Sequence, residues 1–233
     1  MQLFYAKVSG AGSTAVLDEN EAQHLRVLRL EGGAAIQLMD GIGNLWQAVV
    51  VHAGKTGATA QVQQLITTQP HPSGLHIAIA PTKNMDRLEW FVEKATELGI
   101  GTISLLRCER SERKEVRVDR LEKIALSAAK QSGNLYLPVI HPVVPIKSFL
   151  ASPVSGLRCI ATCDGATEPL EKRVHQQRSL LVLIGPEGDF STAEMDWAMQ
   201  QGYLPVSLGT SRLRTETAAL YTAALYRSAL TSF

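Results

Sequence analysis

The sequence predicts an α/β protein in which a small β-rich domain precedes a larger domain built on a parallel sheet. Residues 1–70 contain short alternating runs separated by glycine-rich turns, which is typical of small β structures. The stretch TTQPHPSG (67–74) carries two prolines and a glycine, so it predicts a linker. Beyond it, apolar runs alternate with helical patterns, which indicates a parallel sheet covered by helices on both faces. We therefore expect two domains, at residues 1–70 and 75–233.

The first domain reads as a small antiparallel barrel. Strands are predicted in the runs LFYAKV, AAIQLMD, LWQAVVV and ATAQVQQL, with a tight turn at GIGN (41–44). One helix interrupts them in ENEAQHLRVLRL (19–30), because Ala22, Leu25 and Leu28 recur there at helical spacing.

In the second domain, five apolar runs predict strands at 75–80, 102–106, 157–163, 180–184 and 205–208. Helical patterns predict helices at 85–98, about 119–131, 168–176, 191–201 and 215–230. The run LLVLI (180–184) has no polar residue, which is typical of a strand buried on both faces of a parallel sheet. Ser191 and Glu194 have the spacing of a capping box, so the next helix should begin there.

Composition excludes several classes of protein. The net charge of +1 does not by itself indicate a nucleic-acid binder. Segment 107–123 holds seven basic and five acidic residues, and taken alone it reads as a solvated, salt-bridged face. The three cysteines contain no C-x-x-C pair, so we expect neither a disulfide framework nor a metal site. The opening MQLFYAKVSG lacks the apolar core of a signal peptide and no run is long enough to span a membrane, so we expect a cytoplasmic protein.

The turn GPEGD (185–189) is the first candidate site. It follows a predicted buried strand and precedes a predicted helix, and ligands of open α/β sheets bind at the carboxyl ends of the strands. It fits neither the P-loop nor the dinucleotide-binding pattern. Two interpretations remain: an ordinary tight turn, or a ligand site in which Glu187 accepts hydrogen bonds from hydroxyl groups.

The stretch SLGTSRLRTETA (207–218) is the second candidate site. Arg212 and Arg214 lie in a loop after a predicted strand, and Glu216 falls in the first turn of the next helix, where an acid is favourable. The two arginines could bind a phosphate or a carboxylate. Alternatively, they pair with Glu187 or Glu216 and hold the loop.

Read in order, LIGPEGDFSTAE and SLGTSRLRTETA resemble the motifs of the bacterial ribosomal RNA small subunit methyltransferase E family. HLRVLR, KNMDRLEWFVEKATELG, ERSERK and AAKQSGNLYLP extend the resemblance over the whole chain. Members of that family methylate N3 of a uridine in 16S ribosomal RNA and belong to the SPOUT class of S-adenosylmethionine-dependent enzymes. The resemblance implies a PUA-like, RNA-binding first domain and a SPOUT second domain that ends in a trefoil knot. It also implies a homodimer with the active site at the subunit junction.

The resemblance also implies roles for individual residues. Arg212 or Arg214 would stabilise charge on the uracil, with Glu216 orienting the arginine. The residues expected to hold S-adenosylmethionine are Leu183, Ile184, Gly185, Glu187, Gly188, Leu208, Gly209, Leu213 and Thr217. The residues expected to contact RNA are Arg26, Arg29, Lys83, Arg110, Arg113 and Lys114.

Three residues differ from the common family pattern. Asp189 stands where a glycine is common, and Asn134 and Leu3 stand where arginine is frequent. Two other functions remain open: methylation of a different RNA by a SPOUT enzyme, and a non-catalytic RNA-binding assembly factor that keeps the fold.

Overall fold

The computed structural model describes residues 2–70, 74–153, 155–163, 168–175 and 178–230. The chain forms two compact units. The first consists of residues 1–71 together with 129–137, and the second consists of the rest of the chain. None of the helices in the described residues is both long and apolar enough to cross a membrane.

A five-stranded sheet forms the first unit, in the order β1-β3-β4-β5-β2. Strand β1 runs parallel to β3 and the other pairs are antiparallel, so the sheet is mixed rather than wholly antiparallel as predicted. Alternate side chains of β2 and of the first half of β5 are buried, as expected for strands with one face on a core. The elements are β1 (Leu3–Tyr5), β2 (Thr14–Leu17), α1 (Glu19–Val27), β3 (Ala35–Met39), β4 (Asn44–Ala53) and β5 (Ala58–Thr68).

Helix α1 is shorter than predicted. It begins because the Asp18 carboxylate accepts a hydrogen bond from the backbone N–H of Glu21 at 2.9 Å. It ends at Val27, and Arg29 then takes a left-handed conformation with φ of 56°. The chain turns away there because the N–H of Leu30 donates back to the carbonyl of Leu25.

Residues 129–137 pack with the first unit although they lie far along the chain from its strands. Lys130 Nζ donates to both carboxylate oxygens of Glu21, at 2.7 and 2.8 Å. Gly43 has φ of 105° and faces Tyr136, so closely that a Cβ on this glycine would lie 2.3 Å from the tyrosine ring. The tight turn predicted at 41–44 therefore leaves room for an aromatic side chain from a distant segment.

Seven strands form the sheet of the second unit, in the order β10-β12-β9-β11-β6-β7-β8, and every pair is parallel. The predicted parallel sheet is confirmed. Its strands are β6 (Gly74–Ile79), β7 (Thr102–Arg107), β8 (Val139–Pro145), β9 (Leu157–Ala161), β10 (Glu168–Pro169), β11 (Ser179–Ile184) and β12 (Leu204–Ser207).

Helices cover both faces of this sheet. Ile77 and Ile79 of β6 belong to one apolar cluster, whereas Ala78 and Ala80 belong to another. Because successive strand residues point to opposite faces, the two clusters lie on the two sides of the sheet. The helices are α2 (Met85–Glu97), α3 (Val118–Ser132), α4 (Ile146–Leu150), α5 (Glu171–Val174), α6 (Thr192–Gln200) and α7 (Thr215–Leu230).

Three predicted boundaries are wrong. The helix predicted at 168–176 is the short strand β10 followed by the single turn α5, and residue 176 lies outside the described residues. The strand predicted at 157–163 ends at Ala161. The linker predicted at 67–74 begins inside β5 and ends with the first residue of β6, while 71–73 lie outside the described residues.

Candidate active site

Three neighbouring strands of the parallel sheet, β12, β9 and β11, end at one edge, and the segments that follow them enclose a cavity. Its volume is about 690 Å³, which lies within the range of small-molecule sites. The wall consists mainly of three backbone-rich segments: 161–163, 184–189 and 207–215. Both sequence motifs singled out above therefore meet at this cavity.

The turn 185–189 is held from both sides. The Glu187 carboxylate accepts a hydrogen bond from the backbone N–H of Lys83 at 3.2 Å. The carbonyl of Gly185 accepts one from the Thr215 hydroxyl at 3.0 Å, which ties the turn to the start of α7. A Cβ on Gly185 would lie 3.2 Å from the Phe190 ring, so the absence of a side chain lets that ring pack against the turn.

Asp189 completes the turn in a left-handed conformation, with φ of 62°. A glycine adopts this conformation freely, whereas an aspartate needs local hydrogen bonds to offset its cost. The carboxylate of Asp189 accepts from the N–H of Phe190 at 2.7 Å and from the N–H of Cys163 at 3.4 Å. The aspartate thus spans the ends of β11 and β9.

The capping box predicted at Ser191 and Glu194 is confirmed, since each residue's side chain accepts from the other's backbone N–H. Glu194 has a further partner. Its Oε1 accepts from the backbone N–H of Glu109 at 2.8 Å. The carboxylate therefore joins the start of α6 to the segment after β7.

The second motif places two cations on the wall of the cavity. Arg212 and Arg214 are exposed and line the cavity, and their side chains make no hydrogen bond or ion pair with any part of the chain that the structure describes. The alternative in which they pair with Glu187 or Glu216 is therefore not what the structure contains. Gly209 precedes them with φ of 115°, a conformation that side chains disfavour.

Glu216 does not orient either of these arginines. The residue is only 7% exposed, and its Oε1 lies 3.8 Å from Nε of Arg87 on α2. Its Oε2 is buried without a hydrogen-bond partner among the described residues. The predicted link from Glu216 to Arg212 or Arg214 is wrong, because the first turn of α7 presents this carboxylate to α2.

The predicted cofactor residues fall into two groups. Leu183 does not line the cavity, because its side chain is buried within β11, between β6 and β9. Thr217 is exposed on α7 and is also absent from the wall. The others do line the cavity: Ile184, Gly185, Glu187, Gly188, Leu208, Gly209 and Leu213.

Several wall residues were not predicted. Thr210, Ser211 and Ala218 lie within the second sequence motif but were not singled out there. Ala161, Thr162 and Cys163 belong to neither motif, and the signal that could have found them is their position at the end of β9, whose place beside β11 and β12 is known only from the fold.

The predicted RNA residues of the second unit have mixed surroundings. Arg110 lines the cavity and donates from Nη1 to the carbonyl of Gly188 at 2.7 Å. Arg113 donates to the carbonyl of Lys83 at 2.7 Å. Lys83 itself pairs with Glu112 at 2.9 Å, and this hydrogen bond raises the pKa of Lys83 above its ordinary value.

The remaining predicted RNA residues are exposed. Lys114 lies in the second unit, and Arg26 and Arg29 lie in the first unit at the end of α1. None of the three side chains forms a hydrogen bond or ion pair within the described ranges. The described residues also contain no group of three His, Cys, Asp or Glu side chains able to hold a metal ion.

Comparison with known proteins identifies the family. The family profile of an RNA methyltransferase domain matches residues 69–227, and that of an RNA methyltransferase PUA domain matches residues 17–63. The ribosomal RNA small subunit methyltransferase E of Mycobacterium bovis is 30% identical over 230 residues, which cover 93% of this chain and 87% of that protein. The chain belongs to the ribosomal RNA small subunit methyltransferase E family.

Solved structures agree with membership of the methyltransferase E family. A probable rRNA-methyltransferase from Porphyromonas gingivalis is 37% identical with a TM-score of 0.86, over 100% of this chain and 99% of that one. The ribosomal RNA small subunit methyltransferase E of Neisseria gonorrhoeae, solved bound to S-adenosyl methionine, is 28% identical with a TM-score of 0.85, over 98% and 97% of the chains. The predicted family, the PUA-like first domain and the methyltransferase second domain are thereby confirmed, whereas the trefoil knot stays a prediction.

Proposed function

We propose that this protein transfers a methyl group from S-adenosylmethionine to N3 of a uridine in 16S ribosomal RNA of the small subunit. The observation that carries the proposal is the cavity at the carboxyl edge of the parallel sheet, with two unpaired arginines on its wall, in a chain of this family. The N. gonorrhoeae relative of the same fold was solved with S-adenosyl methionine bound.

The wall of the cavity fits such a cofactor. S-adenosylmethionine has an adenine, a ribose and an amino-acid end, so it needs donors and acceptors spread along one elongated wall. The backbone of 184–189 and 208–213 offers them, and Gly209 keeps the second segment free of a side chain at a left-handed position. The exposed Glu187 carboxylate is suited to accept from ribose hydroxyls or an ammonium group. When bound, the cofactor supplies an electrophilic methyl group on a positively charged sulfur.

The arginines supply the charge that the reaction needs. Uracil N3 must lose its proton to become a nucleophile, and negative charge then develops on the flanking base oxygens. The guanidinium groups of Arg212 and Arg214 can donate hydrogen bonds to those oxygens. Because both are unpaired within the described residues, neither has to leave an ion pair to do so. The side chains proposed to stabilise the negative charge on the base thus lie in the loop that precedes α7.

RNA would be held by exposed cations outside the cavity, namely Arg26 and Arg29 in the first unit and Lys114 in the second. Because ribosomal RNA is the substrate, we place the reaction in the cytoplasm. The working form is a homodimer in which α7, with its exposed Ala224, packs on a second copy. Light scattering of the purified protein at the expected dimer mass tests the last point, and a monomer that is fully active would contradict it.

The decisive experiment is methyl transfer from labelled S-adenosylmethionine to small ribosomal subunits from a strain lacking this modification. We expect labelled N3-methyluridine in 16S RNA, identified by mass spectrometry of the nucleosides. Cofactor binding without this product would indicate a different RNA target. Absence of cofactor binding would leave a non-catalytic RNA-binding factor as the better description.

A first prediction concerns Arg214. Arg214→Ala should lower the rate of methyl transfer about 100-fold, the effect expected for removing one donor to a developing oxyanion. The Kd for S-adenosylmethionine should change little, because the arginine serves the base. Lys172→Ala, which removes a cation from α5 away from the cavity, is the matched control and should keep full activity. An Arg214→Ala protein with normal activity would remove this arginine from the mechanism.

A further inference from the structure

Arg110 contacts the turn 185–189 through a short, charge-assisted hydrogen bond. Its Nη1 donates to the carbonyl of Gly188 at 2.7 Å, and its side chain forms part of the cavity wall. Because the guanidinium is always charged, this bond is stronger than one between neutral groups. It fixes the direction of a backbone carbonyl in the turn, and with it the peptide plane that leads to Asp189.

The two residues also pack against each other. A Cβ on Gly188 would lie 3.3 Å from Cδ of Arg110 and 3.5 Å from its Cβ. The missing side chain at position 188 therefore leaves the space that the arginine stem fills. The lack of a side chain at Gly188 thus allows Arg110 to pack closely against the turn.

The backbone beneath Arg110 is anchored by a buried carboxylate. Glu194 is 5% exposed, and its Oε1 accepts from the N–H of Glu109, the residue before Arg110, at 2.8 Å. The other oxygen, Oε2, accepts from the N–H of Ser191 at 2.9 Å. One carboxylate therefore sets both the start of α6, directly after the turn, and the position from which Arg110 reaches back to it.

Arg113 provides a contrast within the same segment. It also donates to a backbone carbonyl at 2.7 Å, that of Lys83, yet it does not line the cavity. The two arginines therefore have equal charge and similar bonds, but only Arg110 bonds directly to the turn that lines the cofactor cavity, whereas Arg113 is connected to it through Lys83, whose N–H donates to Glu187.

We propose that Arg110 is a positioning residue for the cofactor, which orients the turn 185–189 through the carbonyl of Gly188, and that Glu194 acts through it. The inference rests on the proposed function, because it names a support for the S-adenosylmethionine site. A wall that is already ordered before binding loses less conformational freedom when the ligand arrives, so the arginine raises affinity without touching the reacting atoms.

Calorimetry with S-adenosylmethionine in the absence of RNA tests this role. Arg110→Ala should raise the Kd about tenfold, which corresponds to about 1.4 kcal/mol. Arg110→Lys should recover part of the affinity, since an ammonium can reach the carbonyl but lacks the planar fork. Arg113→Ala, the matched control, should stay within about twofold of the wild type, and thermal unfolding should confirm that all three variants fold.

Four outcomes would overturn the proposal. If wild type and Arg110→Ala bind the cofactor equally, Arg110 does not position the turn. If Arg113→Ala weakens binding as much, the effect belongs to the charge or integrity of the segment. If the wild type binds no S-adenosylmethionine, the proposed function fails first and this inference fails with it. A loss of RNA affinity with an unchanged cofactor Kd would make Arg110 an RNA contact instead.

A double-mutant cycle tests whether Glu194 acts through Arg110. Glu194→Gln should raise the cofactor Kd in the wild-type background, because the amide cannot accept both hydrogen bonds as the carboxylate does. The same change in the Arg110→Ala background should have little further effect. Fully additive effects would show that Glu194 supports the site by another route.

Discussion

Arg29 occupies a position that glycine would fill with less strain. Its φ of 56° follows the last turn of α1, where the hydrogen bond from Leu30 to Leu25 closes the helix. A left-handed conformation costs a residue with a Cβ about 1–2 kcal/mol. A glycine at this position would avoid that strain, but it would lose more backbone entropy on folding, which offsets part of the gain. Since the side chain is exposed and unpaired in the described residues, packing does not explain the arginine, whereas the proposed contact with RNA would.

Arg29→Gly should therefore separate stability from function. We expect the free energy of unfolding of the first unit to rise by about 0.5–1 kcal/mol, because the strain is relieved. RNA affinity should fall, and the slope of log affinity against log salt should decrease by about 0.9, the value for one lost phosphate contact on a duplex. Urea unfolding and RNA titrations at several salt concentrations measure both effects.

Arg29→Lys is the control, since it keeps both the charge and the strained backbone. It should leave stability and salt dependence near those of the wild type. If Arg29→Gly binds RNA with an unchanged salt slope, the arginine is not a phosphate contact and the strain has no functional explanation here.

Among the elements, the strands that the sequence predicts are those with a clear pattern, either an unbroken apolar run in the parallel sheet or an alternating run in the first unit. Leu180–Ile184 sits centrally in the sheet between β6 and β9, and its unbroken apolar run follows from that environment. Strand β8 was missed because it is an edge strand: it contains two prolines and exposes several residues, so it has neither an apolar run nor a regular alternation. Strand β2 was also missed, because its four residues are too few for an alternating pattern to be recognised in the sequence.

The sequence predicts those parts of the site whose residues are adjacent in the chain, and it misses those that the sheet brings together from distant segments. Two of its walls follow glycine-containing strand ends, which a sequence motif reveals. The third, Thr162 and Cys163, joins them only because β9 lies between β11 and β12 in the sheet. Likewise, the packing of α7 on α2 places Glu216 beside Arg87, and no spacing in the sequence encodes that pair.

The ion pair between Lys130 and Glu21 joins α1 to the segment 129–137 within the first unit. The side chains are 19% and 5% exposed, so removing the lysine would leave a buried carboxylate without its partner. Lys130→Met should lower the free energy of unfolding of this unit by about 3 kcal/mol. Hydrogen exchange of amides in β3 and β4 measures this loss of unfolding free energy.

The same exchange experiment has an internal comparison. Lys94 pairs with Glu93 and Glu97 on the surface of α2, and Lys94→Met should cost the second unit less than about 1 kcal/mol. The double change Lys130→Met with Glu21→Met should recover much of the loss, since neither charge then remains buried. Equal small effects of both lysine changes would mean that solvent screens the Lys130 pair as well.

For the whole molecule, a net charge of +1 has a consequence for RNA binding. The overall field is too weak to attract RNA, so affinity must come from a few local cations. Many basic side chains are already committed, as Arg117 is to Asp119 and Arg120 is to Glu89. The salt dependence of RNA affinity should therefore be modest and should reflect the small set of unpaired arginines and lysines.

Stability of the second unit should depend on pH through His76. This half-buried histidine accepts or donates a hydrogen bond with the Ser104 hydroxyl at 2.8 Å, and His141 and Phe149 lie beside its ring. Burial, followed by the nearby His141, lowers the pKa of His76 to about 4, whereas an unfolded chain takes up this proton near 6.5. Between these values the unfolded state binds more protons, so stability falls as the pH drops from about 6.5 towards 4.

Lowering the pH from 8 to 5 should therefore cost the second unit about 2 kcal/mol of unfolding free energy through this one histidine. Hydrogen exchange of amides in β6 and β7, corrected for the intrinsic rate at each pH, measures the loss. In His76→Gln, which keeps a hydrogen-bonding side chain but cannot titrate, that part of the loss should disappear. A variant that loses stability over this range as steeply as the wild type would show that His76 takes up its proton without unfolding, and that other groups set the acid sensitivity of the fold.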